Sequence, residues 1–116
     1  VERGAIWLDP GVGFSKTASQ SAALIAGTPR LVASGHRVLV GASRKSFIAE
    51  LAPRGDGEPC RPEERIGGSA AAVTMAVALG CHAVRVHDVV AMREAALLTP
   101  HLCPGPRGAF ATGGAP

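Results

Sequence analysis

Three short apolar runs, each followed by a polar turn and then by a helix-like pattern, divide the first 98 residues of the chain. They lie at residues 5–8, 37–40 and 81–86. The first is continuously apolar, the second is apolar after Arg37 and the third is mostly apolar, which is typical of strands buried on both faces of a sheet. Strands that alternate with helices predict a parallel sheet covered by helices, and therefore an α/β fold.

Helical apolar spacing is found in the segments after each run. The predicted helical pieces cover residues 21–26, 31–33, 46–51, 62–79 and 89–98. Gly27-Thr28-Pro29 breaks or restarts the first helix, Pro62 begins the long one and Gly80 ends it. Gly67 and Gly68 lie inside that helix, where each Gly costs about 1 kcal/mol relative to Ala, and close packing against a neighbour would explain them.

The length of 116 residues allows one domain at most, and more plausibly part of one. We expect a partial domain over residues 1–98. Beyond it the composition becomes rich in Pro, Gly and Ala, which predicts a disordered tail over 99–116. The chain begins at Val1 without a Met, which hints at truncation.

The composition argues against several classes of partner. The net charge of +3 comes from arginines scattered singly, without the clustering of a nucleic-acid-binding face. No apolar run is long enough to span a membrane, so we expect no membrane partner. The three cysteines are odd in number and lack a Cys-x-x-Cys pair, which favours free thiols and a cytoplasmic protein.

Polar residues with chemical potential follow all three apolar runs. Asp9 ends the first, the segment 41–48 (Gly-Ala-Ser-Arg-Lys-Ser-Phe-Ile) follows the second, and Arg85 with His87 ends the third. Three units of a strand followed by a helix fit either a doubly wound sheet or part of a (β/α)8 barrel. The placement of polar residues at the strand carboxyl ends favours the barrel, whose active sites are built there.

The segment 41–48 has the features of an anion-binding turn. A small-residue turn between a strand and a helix presents free backbone N–H groups. Arg44 and Lys45 add positive charge at that point, and the chain has only one other lysine, Lys16.

Asp9 and Phe14 lie in a glycine-rich turn and each has two interpretations. Asp9 either caps local N–H groups or offers two carboxylate oxygens to the paired N–H donors of a planar heterocycle. Phe14 is either a lid over a ligand or an anchor that holds the loop on the core. Gly11 and Gly13 are first of all turn glycines, because a dinucleotide-binding glycine pattern is absent.

Arg85 and His87 are two positions apart on a strand and so share one face. An arginine can bind phosphate oxygens in bidentate fashion, and a histidine can add a hydrogen bond or a proton. The alternative is a surface pair with Asp88 as a partner of either. The other histidines show no metal-ligand spacing, which favours solvated or structural roles.

Three segments together resemble dihydropteroate synthase, an enzyme of the folate pathway. They are residues 8–16, 40–48 and 85–89, and residues 64–69 also resemble that family's helix before its last strand. Their order and spacing agree with the family over nearly the whole chain up to about residue 98. The Ser-Arg-Lys-Ser run with the downstream Arg-Val-His-Asp is the most specific part.

The resemblance implies an incomplete (β/α)8 TIM barrel, with these units as strands six, seven and eight and their helices. It also implies Mg2+, held by an Asn of the missing N-terminal half and by the pyrophosphate of the substrate. It places no metal ligand in this chain. The full-length protein would act on small molecules, bind no nucleic acid, and form a possible homodimer.

The activity implied by the resemblance is the condensation of a dihydropterin methyl pyrophosphate with p-aminobenzoate to give dihydropteroate and pyrophosphate. Lys45, Arg85 and His87 would be catalytic. The substrate-binding residues would be Asp9, Gly13, Phe14, Lys45, Ser46, Arg85 and His87, with Ser46 at the p-aminobenzoate carboxylate. The chain alone would be inactive, because it lacks the motifs of the first five strands.

Three other possibilities follow from the same residues. The chain could bind a pterin or pyrophosphate without turnover, or belong to a pterin-dependent methyltransferase. It could also fail to fold alone, because three of eight units leave two sheet edges and part of a barrel core open to water.

Overall fold

Three short parallel strands form the centre of the structure, a computed structural model that describes residues 2–104. The strands are β1 (Trp7–Leu8), β2 (Arg37–Val40) and β3 (Ala83–Val84). They lie in the order β1-β2-β3, with Leu8 beside Val38 and Val40 beside Val84. Because the strands are parallel, their carboxyl ends meet at one edge of the sheet, here called the carboxyl edge.

Within residues 2–104, five α-helices connect and cover the strands. They are α1 (Ala18–Ala26), α2 (Thr28–Ala33), α3 (Ser46–Leu51), α4 (Ile66–Ala78) and α5 (Val89–Leu102). Two single 3-10 turns lie at Arg3–Ala5 and Pro62–Glu64. The predicted α/β class with parallel strands is confirmed, and the sheet is open, as expected of part of a barrel.

The structure confirms the helix break at residues 27–29 but corrects the start of the first helix. Helix α1 begins at Ala18 because Thr17 and Gln20 form a reciprocal capping box, in which each side chain accepts the other's backbone N–H. The Thr-x-x-Gln spacing was available in the sequence. The residues just before the predicted start at residue 21 therefore form the first turn of the helix.

The long helix predicted from Pro62 is wrong in its first turn. Pro62–Glu64 forms a 3-10 turn, and α4 begins only at Ile66. The Glu64 carboxylate accepts the backbone N–H and the guanidinium of Arg61, which closes this turn on itself. The third strand begins later than residue 81, because the Cys81 N–H donates to the Ala76 carbonyl near the end of α4, and it ends at Val84 instead of residue 86.

Residues 99–102 are helical, which corrects the predicted start of a disordered tail at residue 99. Thr99 and Pro100 are buried in the last turn of α5, and the Thr99 hydroxyl donates to the Ala95 carbonyl. Pro100 lacks an N–H, but near a helix end this removes only one bond. The remainder of the predicted tail, residues 105–116, lies outside the described residues.

The core lies between the sheet and the helices. Its most deeply buried apolar side chains are Val12, Val38, Val40, Ala76, Cys81, Met92 and Ala96. Burial raises the pKa of the Cys81 thiol to about 11, so this thiol stays protonated at neutral pH. Among the described helices, none combines the length and the apolar character needed to cross a bilayer.

The two neighbouring glycines of α4 differ in their surroundings. A Cβ added at Gly68 would lie 2.2 Å from Ile48 Cγ2, whereas a Cβ at Gly67 would meet nothing within 4 Å. Close packing of α4 against α3 thus explains Gly68. It does not explain Gly67.

Candidate functional site

Lys45, Arg85 and His87 meet at the carboxyl edge. Together with Gly41, Ser43 and Val86 they line an open cleft of about 410 Å³. Lys45 directly precedes α3, and Arg85 and His87 follow β3. The structure therefore brings together the three residues that the sequence identified as catalytic candidates, at the end of the sheet where a barrel enzyme builds its active site.

Ser43 fixes the position of His87. Its side chain is buried, and its hydroxyl oxygen accepts the His87 backbone N–H at 3.2 Å. The same oxygen lies 3.1 Å from Nδ1 of the His87 ring. The ring is therefore held from one side, which leaves its other nitrogen for a ligand in the cleft.

The guanidinium of Arg85 lies against the backbone of Gly41. A Cβ at position 41 would be 3.2 Å from Arg85 Nη2 and 3.4 Å from Nε, closer than ordinary contact. Gly41 therefore allows the guanidinium to rest against the end of β2. The Arg85 backbone N–H donates to the Val40 carbonyl, so the side chain starts from a fixed point of the sheet.

The loop of residues 9–16 borders the cleft without lining it. Its Val12 side chain is buried in the core, and the Gly13 N–H donates to the buried Ser21 hydroxyl. Gly11 and Gly13 both have positive φ, at 76° and 86°, which requires glycine in this turn. The loop is thus anchored from below by Val12 and Ser21.

Asp9 and Phe14 lie on this loop near the carboxyl edge. Asp9 is exposed, and its Oδ1 accepts the Gly11 N–H at 2.8 Å, so the local capping role is real. Phe14 is 58% exposed, which argues against the core-anchor interpretation. The Lys45 ammonium lies 4.3 Å from the centre of the Phe14 ring and so connects the loop to the cleft.

Ser46 lies outside the cleft lining, exposed at the first residue of α3. Lys16 folds back onto its own loop, where its ammonium donates to the Phe14 carbonyl at 2.9 Å. Among the described residues, no three His, Cys, Asp or Glu side chains come together as metal ligands would.

Arg44 does not supply charge to the cleft, which corrects the sequence-based interpretation. Its guanidinium forms a bidentate pair with Asp88, with Nη2–Oδ1 at 2.8 Å and Nε–Oδ2 at 3.2 Å. Asp88 is therefore the partner of Arg44 and not of Arg85 or His87. The pair joins the turn after β2 to the turn after β3. Sequence spacing could not show it, because the two residues are 44 positions apart.

His82 has a structural role at the opposite edge of the sheet. Its Nδ1 accepts the Val38 N–H, and its own backbone N–H donates to the Val38 carbonyl. The Trp7 ring packs edge-on against it, and Arg37 lies over that ring. The Trp7 end of the sheet is thus occupied by packing interactions.

The Arg44–Asp88 pair predicts a pH dependence of stability. The hydrogen bond from Arg44 lowers the pKa of the Asp88 carboxyl below its ordinary 3.8. A lowered carboxyl pKa contributes stability that is present above the ordinary value and is lost as the pH falls through the lowered one. We expect the stability difference between the parent and Asp88→Asn to shrink as the pH falls below 3.8 and through the lowered pKa, as measured by urea unfolding. Arg44→Ala should weaken the dependence of stability on pH as much as Asp88→Asn does. If the double variant Arg44→Ala with Asp88→Asn weakens it further, the pairing is contradicted.

The family of pterin binding enzymes matches residues 1–87 of the chain. The chain is 46% identical over 89 residues to the dihydropteroate synthase of Synechocystis. These residues make up 77% of the chain and 29% of that protein. The structure of the Coxiella burnetii dihydropteroate synthase in complex with pteroic acid superposes with a TM-score of 0.79 and 36% identity, over 88% of the chain and 36% of that protein. For the Xanthomonas albilineans enzyme in complex with 7,8-dihydropteroate the TM-score is 0.75 and the identity 39%, over 86% and 37%.

These comparisons cover most of this chain but only part of each relative. The chain spans about a third of the length of the proteins that it matches.

Proposed function

The chain belongs to the pterin-binding enzyme family, and from this we propose that it is the part of a dihydropteroate synthase that carries the last three β/α units of the barrel. The whole enzyme would join a dihydropterin methyl pyrophosphate to p-aminobenzoate and release pyrophosphate. The observation that carries the proposal is the convergence of Lys45, Arg85 and His87 on one cleft at the carboxyl edge.

Arg85 and His87 would bind the pyrophosphate. When the C–O bond to the pterin methyl group breaks, both bonding electrons leave with the pyrophosphate, so negative charge grows on its oxygens. A guanidinium fixed against Gly41 and an imidazole fixed by Ser43 meet that charge without having to rearrange. Preorganised donors of this kind are usually the largest single contribution to catalysis. Bond breaking would precede attack by the amine.

The pterin would lie between Asp9 and Lys45. The aminopyrimidinone ring of a pterin has an N–H and an NH2 group side by side, which match the two oxygens of a carboxylate. The Lys45 ammonium would meet the ring carbonyl oxygen. Gly13, where a Cβ would come within 3.0 Å of Lys45 Cδ, leaves room for the lysine to pass the loop.

The second substrate would bind beside this site. Ser46 is exposed directly after Lys45 and would hydrogen-bond the p-aminobenzoate carboxylate. Phe14, exposed on the neighbouring loop, would cover the ring of p-aminobenzoate. The amine nitrogen would then attack the methylene carbon and lose a proton as dihydropteroate forms.

Mg2+ would be held by the substrate pyrophosphate and by residues outside this chain. The described residues alone do not fit a magnesium site, because they contain no suitable cluster of carboxylates and imidazoles. The ion would stabilise charge on the pyrophosphate. We further propose that the full-length protein works in the cytoplasm and forms a homodimer. The 116-residue chain alone would not convert the two substrates to dihydropteroate.

The proposal is tested by assaying the longest reading frame that contains this chain, alongside the 116-residue chain itself. With dihydropterin methyl pyrophosphate and p-aminobenzoate, the longer protein should release dihydropteroate and pyrophosphate in equal amounts, and the chain should release none. Binding of the pterin substrate by the longer protein without turnover would instead show a binding module. A protein that neither binds nor converts this substrate would refute the proposal.

A further inference from the structure

Arg44 has a backbone conformation that residues with a side chain rarely adopt. Its φ is +58°, in the left-handed region, although glycine would be the ordinary residue there. Such a conformation persists only where the surroundings determine it, and it is often found next to a functional site. Arg44 directly precedes Lys45.

Three hydrogen-bonded contacts hold the Arg44 residue in place. Its N–H donates to the buried Ser69 hydroxyl at 2.9 Å, and its side chain pairs with Asp88. Its carbonyl oxygen accepts Nη1 of Arg65 at 2.7 Å. This carbonyl belongs to the peptide that joins Arg44 to Lys45, so its direction decides where the Lys45 side chain starts.

Arg65 is well suited to fix that peptide. It lies between the 3-10 turn of residues 62–64 and the start of α4, and it is half-buried. Its Nε donates to the Cys60 carbonyl at 3.0 Å while its Nη1 reaches Arg44. A planar guanidinium that bridges two carbonyl oxygens holds both in fixed directions, because its donors form a rigid fork, whereas the donors of a lysine ammonium rotate.

We propose that Arg65 is a positioning residue for Lys45. It holds the 44–45 peptide through the Arg44 carbonyl oxygen, so that the Lys45 ammonium is directed over Phe14 and into the cleft. Its importance for turnover rests on the proposed function. The positioning itself does not, and it can be measured without substrate.

The small number of lysines permits a direct test. Reductive methylation with ¹³C-formaldehyde labels Lys16, Lys45 and the amino terminus, because the chain has no other lysine. An ammonium 4.3 Å from the Phe14 ring centre should give an NMR signal shifted upfield by the ring current. We expect Arg65→Ala to abolish that shift for Lys45 and to leave the Lys16 signal unchanged. Phe14→Leu should remove the same shift and so assign it.

Arg61→Ala is the matched control. Arg61 lies four positions earlier, pairs with Glu63 and Glu64 at the surface, and should leave the Lys45 signal in place. If Arg65→Ala does not fold, Arg65→Lys is measured in its place. It keeps the positive charge, but it should still weaken the upfield shift of the Lys45 signal. An unchanged Lys45 signal in a folded Arg65 variant overturns the proposal, as does the absence of any shifted signal in the parent chain.

Turnover separates this proposal from the proposed function. In an active longer protein, Arg65→Ala should lower kcat/KM in the parent background and have little further effect in a Lys45→Ala background. Equal losses in both backgrounds would show that Arg65 acts elsewhere. If the longer protein has no turnover while the 116-residue chain still shows the NMR result, the proposed function is refuted and the positioning role stands.

Discussion

Replacement of Arg85 by Ala should lower the turnover of the complete enzyme by about 10² to 10³. The guanidinium is always charged and can bind two phosphate oxygens at once, and it is fixed against Gly41 before the substrate arrives. Water entering the cleft in its place would have to reorganise during bond breaking. The measurement is kcat with both substrates at saturation, because an effect on binding alone would appear only in KM.

The matched control for this prediction is Arg37→Ala. Arg37 begins β2 at the opposite edge of the sheet, where it lies over Trp7. It should lose at most about 1 kcal/mol of stability from this contact and keep its turnover. Similar losses of kcat in the two variants would mean that overall charge matters and not the position of the cation.

The largest expected effect on stability is that of Gly68→Ala. The added Cβ would lie 2.2 Å from Ile48 Cγ2, at a place where α4 packs against α3. Ile48 is buried and β-branched, so it cannot simply turn away. Overpacking of this kind costs about 1 to 3 kcal/mol, which should outweigh the gain in helix propensity. Urea unfolding of the two proteins measures the difference.

Gly67→Ala isolates the propensity effect. It makes the same chemical change one position earlier in α4, where nothing lies within 4 Å of the new methyl group. It should be neutral or stabilise by up to about 1 kcal/mol. If both variants lose stability equally, then contact with Ile48 is not the reason for the glycine at position 68.

The fold was largely predictable because each unit carries strong local signals. The apolar or mostly apolar runs located all three strands, and Gly27-Thr28-Pro29 marked the break between α1 and α2. The errors fell at element ends, where single side-chain contacts decide. The Thr17–Gln20 capping box started α1 early, and Glu64 closed a 3-10 turn that delayed α4. Buried contacts of Thr99 and Pro100 extended α5.

The sequence was enough to predict which residues form the candidate site, but not which residues hold them in position. Lys45, Arg85 and His87 follow apolar strands, so a parallel sheet had to bring them to one edge. The roles of Ser43, Arg65 and Asp88 depend on hydrogen bonds between residues 21 to 44 positions apart. No local pattern shows such bonds. For the same reason the sequence alone predicts Arg44 as a ligand-binding cation, because its ion pair with Asp88 exists only in the folded chain.

The central claim is that the carboxyl edge binds pyrophosphate, and calorimetry with inorganic pyrophosphate tests it most directly. The 116-residue chain and its Arg37→Ala variant should each show one binding site that weakens as salt is added, because the attraction is between charges. The Arg85→Ala variant should bind at least tenfold more weakly. Equal binding by the Arg85→Ala variant and the parent chain would contradict the account.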